Sequence, residues 1–185
     1  EEPISTEGIY GVPDIIKHYA YDIRDVEGNG NCGWYAIQEG LMDNGIPFKD
    51  EMNNFRNSIY DYFIKSRVED IFVNPNAINK RTIMRRIWNS TTNFNTGCKE
   101  RHWFESGQIM PIITQMFKVN CVCYSVHDTK PITIATFKRN NESVCVQERN
   151  FIDPAKICHS SMYRETIGLI YLPDKRHYMY AKLRI

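Results

Sequence analysis

Asp25-Val26-Glu27-Gly28-Asn29-Gly30-Asn31-Cys32-Gly33-Trp34-Tyr35-Ala36-Ile37 decides how the chain is read. Just upstream, Tyr21-Asp22-Ile23-Arg24-Asp25-Val26 alternates polar and apolar residues, a short strand pattern. Gly28 to Asn31 then breaks the chain with residue types that tolerate positive φ. From Cys32 the pattern turns helical, with Trp34, Ile37 and Leu41 spaced to share one face. A strand, a glycine-rich turn, a cysteine and a helix in that order put Cys32 at a helix N-terminus. There, unpaired N–H groups and the helix dipole favour a thiolate. The same turn can aim N–H groups of Asn29, Gly30 or Cys32 beside the sulfur, the arrangement of an oxyanion hole for acyl transfer. A lone cysteine after a turn is more often an inert buried residue, and the turn narrows that gap without closing it.

A thiolate nucleophile needs a base, usually histidine. Candidates are His18, His102, His127, His159 and His177. His177 follows the turn Pro173-Asp174-Lys175-Arg176, opens the last strand-like run and is flanked by Tyr178 and Tyr180. A strand start beside a turn is rigid yet accessible. The other four lie in loop-like or helix-end contexts, where a surface or satisfied core histidine is the ordinary outcome.

Outward from this centre, 12–20 reads as a short helix, with Pro13 in its first turn. Longer helices are expected over 51–67, with Phe55, Ile59, Tyr62 and Phe63 inward, over 79–89, with Arg81, Arg85 and Arg86 solvated, and over 106–117. Pro111 must sit near the start of the last of these or kink it. The segment 89–97 reads as a loop. Strands are expected over 119–126, 131–137, 143–146, 166–172 and 177–183, with a loop over 153–164. Helices dominate the first two thirds and strands the last, which predicts an α+β fold rather than a doubly wound α/β sheet. No linker divides the chain, so one domain over 1–185 is expected, with 1–20 as an N-terminal extension.

The 185 residues can bury a core without disulfides or a structural metal. The 23 basic and 22 acidic side chains, net charge +1, give no electrostatic case for nucleic acid. No apolar run approaches the ~18 residues that span a bilayer. Glu1-Glu2-Pro3 has neither an initiator Met nor signal-peptide regions and reads as a trimmed start. The cysteines at 32, 98, 121, 123, 145 and 158 are read as reduced thiols of an intracellular protein of cytoplasm or nucleus, monomeric and without cofactor. Cys98 and His102 lie four apart and Cys121 and Cys123 two apart, but the paired knuckles of structural zinc are missing, so no metal is expected.

The run from Asp25 to Ile37 resembles the catalytic cysteine segment of ovarian-tumour (OTU) cysteine proteases, closest to transposon-associated and microbial members with a Gly-Asn-Cys-Gly-aromatic core. Trp103-Phe104-Glu105 through Ile112 and Phe117, then Val119 to Ser125, is similar to that family's tryptophan, helix and buried strand. Leu169-Ile170-Tyr171-Leu172, a turn, and His177-Tyr178 resemble its terminal strand pair and catalytic His-aromatic. The blocks run in family order over about residues 21 to 183. The resemblance implies a papain-like α+β fold with helices flanking a small mixed sheet, and hydrolysis of isopeptide or peptide bonds at the C-terminus of ubiquitin. Cys32 would be the nucleophile, His177 the base, and the turn with Asn29, Gly30 and Cys32 the oxyanion hole. Tyr178 would help wall a narrow channel for the substrate's Gly-Gly tail, or serve as a core aromatic; Trp34 is the second expected substrate contact. The partner implied is ubiquitin or polyubiquitin, or a ubiquitin-like modifier.

The chain departs from the family twice. Many members carry Asp three residues before the cysteine, where Asn29 stands. Many carry Asn or Asp two residues after the histidine, where Met179 stands and offers no acceptor. The group that orients His177 must then come from elsewhere. Asp25, at the end of the strand leading into the turn, is the first candidate, ahead of Asn29 and Asp22; its plain alternative is to cap the turn. A different functional class, a ubiquitin-binding module that has lost its chemistry, rests on Asn29 and Met179 alone.

Overall fold

The computed structural model describes residues 16, 18, 20–125, 132–139, 142–148 and 165–183. Strand β1 (Ala20–Arg24) leads through the glycine turn into helix α1 (Cys32–Asp43). Helices α2 (Met52–Lys65), α3 (Val68–Ile71), α4 (Lys80–Ile87) and α5 (Ser106–Phe117) follow. Then come β2 (Asn120–Ser125), β3 (Ile132–Arg139), β4 (Glu142–Glu148), β5 (Thr166–Leu172) and β6 (His177–Leu183). They form a six-stranded sheet in the order β1-β6-β5-β2-β3-β4. Only the β2–β5 pair is parallel, so the sheet is mixed and the fold is α+β.

The core explains the order. Asn-Cys-Val-Cys-Tyr-Ser of β2 is buried throughout, the near-continuous apolar run of a strand covered on both faces. Along β6, Tyr178 and Tyr180 pack with the helices, while Met179 and Ala181 join Val122, Ile170 and Ile16 on the opposite face. Helix α1 lies across β5 and β6. Gly40 allows that approach: a Cβ there would stand 2.4 Å from Ile167 Cγ2. Arg24 of β1 bonds Glu39 and Asp43 of α1, and the Tyr180 hydroxyl donates to Asp43 at 2.6 Å. These ties fix the C-terminal half of α1 against β1 and β6.

Several boundaries differ from expectation. In the 12–20 segment Ile16 and His18 are helical and Ala20 already belongs to β1; the rest lies outside the described residues, as do the 153–164 loop, His127, His159 and Cys158. β4 is longer than 143–146 because it pairs with β3 along most of its length. Pro111 sits in the second turn of α5, fully buried. Tyr62 is half-buried, and Arg56 takes its place among the inward side chains of α2. Arg86 is not solvated: its guanidinium donates to Gln108 Oε1 at 3.0 Å and Trp103 O at 2.9 Å. Among the described residues no helix is long and apolar enough to cross a membrane.

Candidate active site

Cys32 is the first residue of α1, and its side chain is nearly buried at 8% exposure. The Tyr178 N–H at the head of β6 donates to Cys32 Sγ at 3.4 Å. Burial pushes the Cys32 thiol up from its ordinary value, and the N–H groups of Tyr178, Gly33 and Cys32 work against that by favouring the thiolate. His177 precedes Tyr178 at the start of the strand whose backbone touches the sulfur. Its Nε2 lies 2.6 Å from Asp25 Oδ1. A carboxylate only accepts, so Nε2 carries the hydrogen and Nδ1 is left with its lone pair. Nδ1 lies on the Gly28 side of the ring, 4.0 Å from where a Gly28 Cβ would stand. Asp25 also accepts from the Val26 N–H at 2.9 Å, so it caps the turn and holds the imidazole at once.

The turn itself is pinned from one side. Asn29 O accepts the Cys98 N–H at 3.1 Å, and Cys98 Sγ donates to Gly30 O at 3.3 Å. Gly30 has φ +93, and a Cβ there would meet Cys98 O at 2.4 Å. In a planar trans peptide the N–H points opposite the C=O, so the Gly30 N–H faces away from Cys98. It has no acceptor among the described residues. The Asn31 N–H, by contrast, is spent on Asn29 Oδ1 at 3.1 Å. Asn29 therefore shapes the turn with its side chain, and that oxygen is not on His177.

Tyr178 is buried, with rings of Tyr171 and Phe104 at 4.5 and 5.1 Å and its hydroxyl accepting from the Ser106 N–H at 3.3 Å. It also lines a cavity of about 390 Å³ with Trp103, Phe104, Ser106, Tyr171 and Arg176, so core packing and cavity wall are both true of it. Arg176 lies over the Trp103 ring at 4.7 Å and pairs with Glu100. Trp34 requires correction. It is fully buried, edge-on to Phe104 at 5.4 Å and donates to His102 O, so it cannot touch a substrate. The spacing that aligned it with Ile37 and Leu41 on the inward face was the signal.

His102 is turned away from this chemistry. Its Nδ1 lies 2.8 Å from Arg85 O and its Nε2 accepts from Arg101 Nε, so neither nitrogen is open to a metal with Cys98. No cluster of three or more His, Cys, Asp or Glu able to hold a metal occurs among the described residues. Cys32, Cys98, Cys121 and Cys123 are not in disulfides. Sequence reasoning missed Arg56, Asn31 and Cys98, which support the turn from below. A charged residue inside the apolar stripe Met52, Phe55, Ile59 and Phe63 was the legible sign of Arg56.

No protein-family model matches the chain, and no curated protein matches it. Among solved structures, an OTU deubiquitinase from Wolbachia pipientis wMel matches 88% of this chain and 88% of its own, with a TM-score of 0.50 and 15% sequence identity. At that identity the likeness concerns the fold, and the fold of this chain is OTU-like.

Proposed function

We propose that the chain is a thiol-dependent deubiquitinase that hydrolyses isopeptide or peptide bonds at the C-terminus of ubiquitin. The observation that carries the reading is that Asp25 holds the His177 imidazole at 2.6 Å while the next residue of the same strand, Tyr178, donates its N–H to Cys32 Sγ at 3.4 Å. The substrate class rests on the fold shared with the Wolbachia deubiquitinase.

In this mechanism Asp25 holds Nε2–H, so the lone pair on His177 Nδ1 takes the Cys32 proton as sulfur attacks the scissile carbonyl. The oxyanion accepts hydrogen bonds from the N–H groups of Gly30 and Cys32. His177 returns the proton to the departing amine, leaving a thioester on Cys32. Water, deprotonated by His177, then attacks the thioester and frees the thiol. The cavity beside Tyr178 is the proposed channel for the substrate's tail. Asn29 contributes by fixing the turn.

Ubiquitin carrying a C-terminal electrophile tests the reading, followed by all di-ubiquitin linkages and the ubiquitin-like modifiers. The expected result is an adduct on Cys32, absent in Cys32→Ala, and cleavage of at least one linkage. Adduct formation on Cys98 overturns the assignment of the nucleophile. Reaction with a ubiquitin-like modifier alone moves the substrate to that modifier. Binding without adduct or cleavage makes the chain a non-catalytic module.

A further inference from the structure

A cation stands inside the apolar core. Arg56 of α2 is fully buried, and among the described residues no carboxylate pairs with it. Nε donates to Ile87 O at 2.9 Å, and Nη2 to Arg86 O at 2.6 Å and His102 O at 2.5 Å. Nη1 donates to Asn31 Oδ1 at 2.8 Å and reaches Cys98 Sγ at 3.5 Å. Rings of Phe94 and Trp34 lie over the guanidinium at 3.9 and 4.2 Å. Burial pulls Arg56 down to about 10, so it remains a cation at neutral pH. Burying an ion with no opposite charge is costly, and an apolar side chain of similar volume packs such a site at no such cost. The five-donor fork does what an apolar group cannot: it joins the end of α4, the 98–102 segment and the turn before Cys32.

Asn31 shows what that junction controls. It is the N-cap residue of α1, where asparagine ordinarily accepts from an N–H of the first turn. Here its side chain makes no capping bond. Instead Oδ1 is held by Arg56 and Nδ2 donates to Phe94 O at 2.7 Å. The first-turn N–H of Gly33, which a capping side chain would take, is thereby left to the sulfur, where it favours the thiolate.

We propose that Arg56 is a positioning residue that withholds the Asn31 side chain from capping α1, so that the helix N-terminus serves Cys32 instead. This rests on the reading of Cys32 as the nucleophile. Without the fork, Asn31 rotates to cap its own helix and competes for the Gly33 N–H that favours the thiolate.

Arg56→Met, Arg56→Lys and Arg56→Met combined with Asn31→Ala test this, with three measurements on each. These are the rate of Cys32 alkylation by iodoacetamide, kcat and KM on a fluorogenic ubiquitin substrate, and thermal unfolding. Expected for Arg56→Met is a fall of about tenfold or more in alkylation and in kcat, with KM within about threefold, in protein that still unfolds cooperatively. Asn31→Ala in that background restores alkylation, because alanine cannot cap. A role in packing alone gives no such rescue. Wild-type alkylation in folded Arg56→Met, or no rescue by Asn31→Ala, overturns the proposal. If Arg56→Met does not fold, Arg56→Lys decides by the same alkylation rate, since an ammonium lacks the fork. Alkylation needs no ubiquitin, so wild-type protein that leaves ubiquitin conjugates intact refutes the deubiquitinase reading while the alkylation series still decides on Arg56.

Discussion

Asp25 Oδ1 and His177 Nε2 meet at 2.6 Å across 152 positions of sequence, joining the end of β1 to the start of β6. The contact follows from the antiparallel pairing of those strands, in which Arg24 lies opposite Tyr180. It supplies the acceptor that Met179 cannot. The Asp25 side chain is 69% exposed, so water can replace part of its function. Asp25→Ala is expected to lower kcat by about 10²-fold, the low end for acid–base catalysis, with KM and ubiquitin affinity little changed. Asp25→Asn should recover part of the loss, because its amide oxygen can still accept from Nε2–H. Steady-state kinetics of both variants check this; near-normal turnover in Asp25→Ala would leave a Cys32–His177 dyad.

What was legible in the sequence was local. Cys32 announces itself by the glycine turn and the helical spacing behind it, and His177 by its place at a strand start. The contact of Asp25 with His177 depends on which strands are neighbours, and period-two patterning carries no such information. The parallel β2–β5 pairing was hidden for the same reason. Arg56 was legible only as a charge inside an apolar stripe; the carbonyls that satisfy it come from distant segments, which no local pattern shows.

The turn gives a second prediction. Gly30→Ala places a Cβ 2.8 Å from Trp103 Nε1 as well as against Cys98 O, at φ +93. Relief requires the turn to move away from residues 97–98, taking the Gly30 N–H with it. Loss of an oxyanion donor costs about 10²–10³ in kcat, and that range is expected here. Gly45 also has positive φ, +66, but a Cβ there meets nothing within 4 Å. Gly45→Ala should cost about 1–2 kcal/mol of stability from backbone strain and leave kcat alone. Turnover and denaturant unfolding of the two variants separate the effects.

Trp34 supplies a third. Its ring is sealed between Phe104 and Arg56, with no route to substrate. Trp34→Ala should destabilise by about 3–5 kcal/mol, seen in denaturant unfolding. Trp34→Phe should lower the melting temperature with KM unchanged. A rise in KM in a fully folded Trp34→Phe would return the residue to the substrate site.

The last prediction concerns how the thiol is activated. Burial raises the Cys32 thiol above its ordinary value, and the nearby N–H groups only partly offset it. Protein dipoles alone thus leave the thiol raised, and in the proposed mechanism His177 takes its proton. Replacing His177 with alanine removes both the base and the imidazolium that would stabilise the anion. In His177→Ala, the rate of Cys32 alkylation by iodoacetamide should then rise with pH with a midpoint above the ordinary thiol value, because only the thiolate reacts. Wild type, which keeps the base, should show additional reactivity at neutral pH. The same shift bears on stability. A thiol whose folded pKa exceeds its unfolded one stabilises the fold fully below the unfolded pKa, and that contribution is lost as pH rises through the folded value. Cys32→Ser does not ionise in that range, so His177→Ala should lose more stability above the ordinary thiol pKa than the Cys32→Ser, His177→Ala double variant. An alkylation midpoint below the ordinary thiol value in His177→Ala would show that the helix N-terminus suffices to make the thiolate, and that His177 acts only after attack.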